Sequence, residues 1–357
     1  MLHDIIFLIL GLLLLVFGAN YVTDGAVAVA KRFKVSNLMI GLTVVALGSS
    51  MPDIVVCVES AFQHKPALAV GEVIGANIFD LLLVIGIMGM VRPWKVSGIM
   101  RHQDLPILLI ASAALWIAGD SVLFDGAAHN VINRSSGIML IVIFVFYMWF
   151  MILSSRTEKS EDSTEDTTND NTSSSGSVGS LAVGIAKAHS LKGELNILKF
   201  HYEALQSKMW FSAILIVAGL GALVIGGNWV VDGASGLALK VGMSQAMVAL
   251  TVVAIGNALP DLVTSVTATL KGASGIAFGN IVGSCIINAL LTIGLSALVI
   301  PLKADSIGFV DFITPVAASA LLWFVPLFTK NRSIGRVFGI ILTLLYVAYM
   351  TFTVIRG

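Results

Sequence analysis

Charge is what this chain has least of: 12% of its residues are Asp, Glu, Lys or Arg, against 57% hydrophobic ones. A soluble domain carries about twice that share of charge, so a water-facing globular surface is excluded and an integral membrane protein is expected. The only two cysteines, Cys57 and Cys285, both fall inside apolar runs. That excludes an exported disulfide framework and a cysteine zinc site, and leaves both as small buried hydrophobes. The six histidines lie scattered over termini and loops without ligand spacing, so no histidine metal cluster is expected. A basic leader is missing as well: His3 and Asp4 precede the first apolar run, which therefore reads as a span and not as a secretory signal. The bilayer is the partner that composition implies; neither a nucleic-acid partner nor a cofactor is expected.

What the chain does have is apolar runs of about 20 residues or more, long enough to cross a hydrocarbon core as helices and without the alternation of barrel strands. They fall near 4–30, 36–62, 67–91, 104–119 and 136–154, then 209–239, 244–270, 274–300, 307–329 and 334–355. The expected fold is an all-α polytopic membrane protein with ten transmembrane helices, divided into repeats at 1–154 and 209–357 by a linker at 155–208. The linker opens with "SSRTEKSEDSTEDTTNDNTSSSGS", too polar to form a core, and continues into a Lys-bearing apolar stretch suited to the membrane surface. Its acids lack the glycine and terminal glutamate of a calcium-binding EF-hand loop. With the amino terminus outside, sixteen of the 21 basic residues face the cytoplasm, leaving Lys65, Arg134, Lys240, Lys303 and Arg356 outside. Both termini are thus expected outside and the linker inside.

The two halves are copies. An offset of 208 residues carries "LTVVALGSSMPDIV" onto "LTVVAIGNALPDLV" and "AVGEVIGANIFDLLLVIG" onto "AFGNIVGSCIINALLTIG", and in the first spans lays Asn20 over Asn228 and Asp24 over Asp232. Because each half has an odd number of spans, the second copy runs upside down, the inverted-repeat architecture of secondary transporters.

Within each copy the second span breaks its own hydrophobic run. Pro52 and Pro260 lack an amide hydrogen, so the carbonyls of Gly48 and Gly256 lose their helical partners and a discontinuous helix is expected at each. Beside the prolines stand Asp53 and Asp261, each expected near the start of a half-helix whose dipole favours the ionised acid. A mid-membrane carboxylate costs about 2.5–3.5 kcal/mol on insertion scales, and neither span holds a lysine or arginine to pair with it. The missing counter-charge is a bound cation. In the following spans Glu72, Ala76 and Asp80 are spaced by four, as are Asn280, Ser284 and Asn288, which puts each trio on one helical stripe. Carboxylate, amide, hydroxyl and carbonyl oxygens suit hard cations such as calcium or sodium. Glu59 sits late in its span, with Thr267 as repeat mate, and reads as an outer-vestibule acid; the repeated Asn and Asp of the first spans read as helix-interface hydrogen-bonding groups.

These duplicated segments resemble the α-repeats of the cation/calcium antiporter superfamily, especially prokaryotic sodium/calcium exchangers. The resemblance implies antiport of sodium against calcium, with no enzymatic activity, in the inner (plasma) membrane of a bacterium. It makes Asp53 and Asp261 the principal cation ligands, adds Ser49, Ser50 and Asn257 (with Ala258) before them and backbone carbonyls at Ala46 and Ala254, and supplies Ala76 with Asp80 and Ser284 with Asn288 as a second layer. The family usually has glutamate after the proline, where this chain has aspartate twice; Glu72 stands where many relatives are neutral and restores reach or charge. Aspartate in the second repeat resembles the potassium-dependent branch. Protons are a further candidate counter-ion, since carboxylates in a dry cage favour protonation. Two mid-membrane aspartates also suit an intramembrane aspartyl protease, but its glycine-x-glycine-aspartate signature is absent; a passive channel is the remaining rival.

Overall fold

The structure is a computed structural model that describes residues 2–32, 46–96, 98, 100–124, 126, 129–161, 209–270, 274–328 and 333–356. The first half contains α1 (Leu2–Arg32), α2 (Ala46–Ser49), α3 (Met51–Phe62) and α4 (Pro66–Ile78), the last continuing through a π-helical segment (Phe79–Val84) into α5 (Ile85–Val91). A π-helical turn (Met100–Asp104) then leads into α6 (Leu105–Gly119), followed by α7 (Ser121–Phe124) and α8 (Arg134–Glu161). The second half contains α9 (Met209–Val241), then α10 (Gln245–Val248) joined through a π-helical segment (Ala249–Val253) to α11 (Ala254–Leu270). It continues with α12 (Ser274–Ile287), joined through a fourth such segment (Asn288–Thr292) to α13 (Ile293–Val299), and ends with α14 (Phe309–Phe328) and α15 (Arg336–Arg356). Starts follow local chemistry: proline opens α3, α4 and α6, where its missing N–H costs nothing, and the Ser244 hydroxyl accepts from the Met247 N–H at the head of α10.

Eight helical stretches among the described residues are long and apolar enough to cross a membrane, and Phe309–Phe324 is a shorter apolar helix. Every expected span but the second has a helix over most of its length; residues 33–45 of the second lie outside the described residues, as does most of the linker with its expected surface segment.

Two short ladders fix the relation between the halves. Strand β1 (Trp94–Lys95), after α5, pairs antiparallel with β4 (Ser333–Ile334), before α15; β2 (Val131–Ile132), before α8, pairs with β3 (Leu302–Lys303), after α13. Trp94 lies opposite Ile334 and Ile132 opposite Leu302. Each ladder thus ties the end of a half's third span to the start of the other half's fifth, the exchange that an upside-down copy requires.

Packing divides the chain into two compact units. In the larger (Met1–Val16, Ser50–Val145 and Leu223–Gly357) a Cβ on Gly11 would stand 2.8 Å from the Gly226 carbonyl oxygen. In the other (Phe17–Ser49 and Phe146–Ala222) a Cβ on Gly219 would stand 2.8 Å from the Gly18 carbonyl oxygen. The repeat offset exchanges these two pairs, so α1 and α9 meet on small residues at symmetry-related points, where only a missing side chain lets backbones approach. The centre of the larger unit is formed by the spans Pro66–Val91 and Ala277–Val299, which are 83% and 78% buried, against 17% for Arg134–Met151.

At one end of α3, Gln63 donates to Glu59 and to Asn228, while Lys65 pairs with Asp232 at 3.5 Å. Asn228 thus has the interface hydrogen bond expected of it; the side chain of Asp24 lies outside the described ones. The Asp232 side chain is 60% exposed, so the ion pair is worth less than about 1 kcal/mol. Lys65→Gln is expected to leave thermal unfolding in detergent almost unchanged; a large drop would mean the pair is shielded from water.

Candidate cation site

Asp53 lies in the first turn of α3, as expected. The chain turns at Ser50 between α2 and α3, and the Ile54 N–H reaches back to the Ser50 carbonyl at 3.0 Å. The second half differs. Pro260 sits inside a continuous α11, and Asp261 follows it in mid-helix, so the expected break and the expected help from a half-helix dipole are both absent at Asp261. The irregularity has moved upstream into Ala249–Val253, where the Ala254 N–H bonds the carbonyl of Ala249, five residues back. A π turn absorbs one extra residue without ending the helix, which makes a kinked helix sufficient to accommodate the proline.

The same device recurs on the two central spans. The Ile85 N–H bonds the Asp80 carbonyl, and the Ile293 N–H bonds the Asn288 carbonyl. Asp80 and Asn288 are repeat mates, and each stands where its helix widens.

These elements bring six of the expected side chains of the larger unit into three bonded pairs. Asn288 Nδ2 donates to Asp53 Oδ2 at 2.7 Å, and Asn257 Nδ2 donates to Glu72 Oε1 at 2.8 Å. The hydroxyls of Ser50 and Ser284 are 3.1 Å apart. Glu72 is fully buried and lies beside Asp53. Asp80 is also buried, in the first turn of the π-helical segment that follows α4. Asn280, the repeat mate of Glu72, is half-buried and Ala254 is buried as the first residue of α11. Ser49 and Ala46 lie on α2, in the other compact unit.

Two participants are not evident from the sequence reading. The Cys57 thiol is no inert hydrophobe: it donates to Glu72 Oε2 at 2.9 Å. Its position four residues after Asp53, on the same helical face, is the signal that could have found it. Asn77 donates to the carbonyl of Cys285 at 3.1 Å, its own repeat mate, so this bond crosses near the pseudo-twofold relation of the halves.

The donor set fits a hard cation. The side-chain oxygens Oδ1 of Asn77, Asp80, Asn257 and Asn288 are buried and accept no hydrogen bond from the described residues, an arrangement that is costly unless something positive serves them. No lysine or arginine occurs in α3, α4, α11 or α12. Among the described residues no three His, Cys, Asp or Glu side chains are grouped to hold one metal ion; the acids are accompanied by the amides of Asn257 and Asn288 and the hydroxyls of Ser50 and Ser284. That is the ligand chemistry of calcium and sodium.

Known proteins show the same architecture. The family model described as sodium/calcium exchanger protein matches residues 3–153 and 211–355. Inner membrane protein YrbG of Escherichia coli K12 is 29% identical over 336 residues, covering 94% of this chain and 92% of that protein. The sodium/calcium exchanger MaX1 of Methanosarcina acetivorans is 27% identical over 363 residues, covering 97% of each. A solved structure of the sodium-calcium exchanger NCX_Mj, soaked with sodium and strontium, superposes with a TM-score of 0.58 at 26% identity and 98% coverage of both chains. Inverted halves, acids beside the prolines and a match over both membrane segments have one meaning: the chain belongs to the sodium/calcium exchanger family, integral-membrane cation antiporters and not enzymes.

Proposed function

We propose that the chain exchanges sodium for calcium by alternating access to one oxygen-lined site. Its ligands are the side chains of Asp53, Asp261, Ser49, Ser50, Asn257, Glu72, Asp80, Ser284 and Asn288, with backbone carbonyls at Ala46 and Ala254. Supporting this reading above all are the four buried acceptor oxygens without donors among the described residues, together with α3, α4, α11 and α12, which hold no lysine or arginine. Calcium and sodium compete for the same oxygens, and the competition enforces exchange. The repeats 1–154 and 209–357 act as inverted halves around the site, and α1 and α9, which meet on glycines, move against the rest to open it to either side. Both termini face outward and the linker 155–208 faces the cytoplasm, in the inner membrane of a bacterium.

Uptake of radiolabelled calcium into proteoliposomes tests this, with outward sodium, potassium and proton gradients applied one at a time. The sodium gradient alone is expected to drive accumulation. Four acids, Asp53, Glu72, Asp80 and Asp261, hold twice the charge that one calcium balances, which favours protons as the second reading; uptake driven by the proton gradient without sodium would establish it in place of the first. Calcium flux that discharges without any counter-gradient would instead mark a channel.

A further inference from the structure

Two buried donors beside the first turns of α12 find no acceptor among the described residues: the indole N–H of Trp94, whose side chain is only 8% exposed, and the Nε N–H of Arg101. Buried donors are seldom left so. Both stand at one end of the larger unit, the end that the proposed topology turns toward the cytoplasm. Strand β1 and the Met100–Asp104 turn each pack on α12. The Trp94 ring lies 5.9 Å from that of Phe278, and the Met100 methyl lies 3.6 Å from where a Cβ on Gly275 would stand. Trp323 donates its own indole N–H to the Arg101 carbonyl at 3.1 Å, which holds the backbone of the turn. Arg101 Nη2 donates to His102 Nε2 at 2.8 Å, and among the described residues no carboxylate pairs with the guanidinium, Asp104 included.

Packing does not require these donors, and the repeat supplies the comparison. The 208-residue offset carries β1 onto β3, with Trp94 on Leu302, and carries Arg101 onto Phe309. Leu302 is fully buried in its own ladder, so an apolar side chain is enough at that position. The nitrogen of Trp94 and the charge of Arg101 are additions made at one end of the molecule. A second excess of donors lies beside them. The register that sets Trp94 opposite Ile334 sets Arg92 opposite Arg336, and both arginines are exposed. Like charges facing each other across a ladder weaken it, unless an anion lies between them.

We propose that this end of the bundle binds a phosphate-bearing anion, either a lipid headgroup or free phosphate, through the N–H groups of Trp94 and Arg101 and the facing guanidiniums of Arg92 and Arg336. Arginine N–H groups match phosphate oxygens in charge and geometry, and neither buried donor gives up a protein partner to bind one. Basic pockets between spans on the cytoplasmic side suit anionic headgroups, and indoles settle at the same depth. Phe324, 46% exposed and packed against Trp323 with ring centroids 4.8 Å apart, supplies apolar surface for an acyl chain. The anion ties β1, the turn and the head of α15 to the head of α12, so its binding stabilises the fold. The site is separate from the cation site and does not depend on which ions exchange.

Thermal unfolding of the purified, delipidated full-length protein in neutral detergent tests the site, with phosphatidylglycerol, phosphatidylcholine and inorganic phosphate titrated separately. An anion is expected to raise the midpoint saturably, and phosphatidylcholine is expected to leave it unchanged. Arg101→Gln is expected to raise the apparent Kd for the anion by at least about tenfold. Trp94→Phe, which keeps a ring and removes the N–H, is expected to raise it by about fivefold. Without anion Trp94→Phe should unfold no earlier than the unaltered protein, so its weaker response is not misfolding. Lys303→Gln removes an exposed cation from the other ladder and should leave the Kd unchanged. A rise with inorganic phosphate that also displaces the lipid assigns the site to free phosphate; a rise with phosphatidylglycerol that phosphate does not displace assigns it to a headgroup. Equal stabilisation by phosphatidylcholine, no response to either anion, or losses in Arg101→Gln and Trp94→Phe no greater than in Lys303→Gln overturn the proposal.

Discussion

Asp261→Asn and Asp53→Asn are each expected to lower sodium-driven calcium exchange by at least about 100-fold, because calcium affinity follows the number of charged ligands. The substitution is isosteric, so it removes charge while leaving volume and helix in place. For Asp261 a second, opposite effect follows. Its half-buried carboxylate accepts no hydrogen bond from the described residues, and a charge held largely out of water without a partner weakens the fold that contains it. Asp261→Asn in ion-free detergent solution is therefore expected to unfold at a higher temperature than the unaltered protein. The unaltered protein should gain about 2.7 kcal/mol when calcium is raised to about 100 times its Kd, and Asp261→Asn should lose that gain. Lost transport, a raised ion-free midpoint and a vanished calcium response form one signature. A variant that exchanges at full rate, or whose midpoint still climbs with calcium, would mean that the ion is neutralised elsewhere.

The fold was legible because its causes are local or repeated. Apolar runs place the spans, the register between Asp53 and Asp261 shows the duplication, and an odd number of spans in each half implies the inversion. The site was half legible for a single reason: a carboxylate in a membrane span carries a large cost, so Asp53, Glu72, Asp80 and Asp261 announce themselves in sequence. What the sequence does not carry is how the backbone accommodates a proline. Pro52 and Pro260 occupy identical local motifs, yet the chain turns before α3 and only widens before α11, since helix continuity there depends on what packs around it. The π-helical segments at Asp80, Ala249 and Asn288 have no residue signature for the same reason. Cys57 and Asn77 act through partners on other turns and other helices, Glu72 and Cys285, and such choices become visible only once the helices are assembled.

Gly75→Ala is expected to damage both stability and transport, although the change adds one methyl group to a helix that would otherwise welcome alanine. Gly75 lies on α4 between Glu72 and Ala76. A Cβ there would stand 2.6 Å from the Leu250 carbonyl oxygen, 2.7 Å from the Ala254 Cβ and 2.9 Å from the Leu250 Cα. None of these belongs to a flexible side-chain end that can swing aside; relief requires α4 to move away from the Ala249–Val253 segment and the start of α11. Overpacking of this kind costs about 1–3 kcal/mol, and here it also shifts the stripe that carries Glu72 and Asp80 relative to Asn257 and Asp261. Calcium exchange should fall with the thermal midpoint, and an added excess of calcium should recover less of the midpoint than in the unaltered protein, because the ligands no longer converge. Gly221→Ala supplies the contrast: Gly221 is exposed on α9 with nothing within 4 Å of its would-be Cβ, and both midpoint and exchange should hold. If Gly75→Ala behaved like Gly221→Ala, the close approach of α4 to the π-helical segment would not be what aligns the two halves of the site.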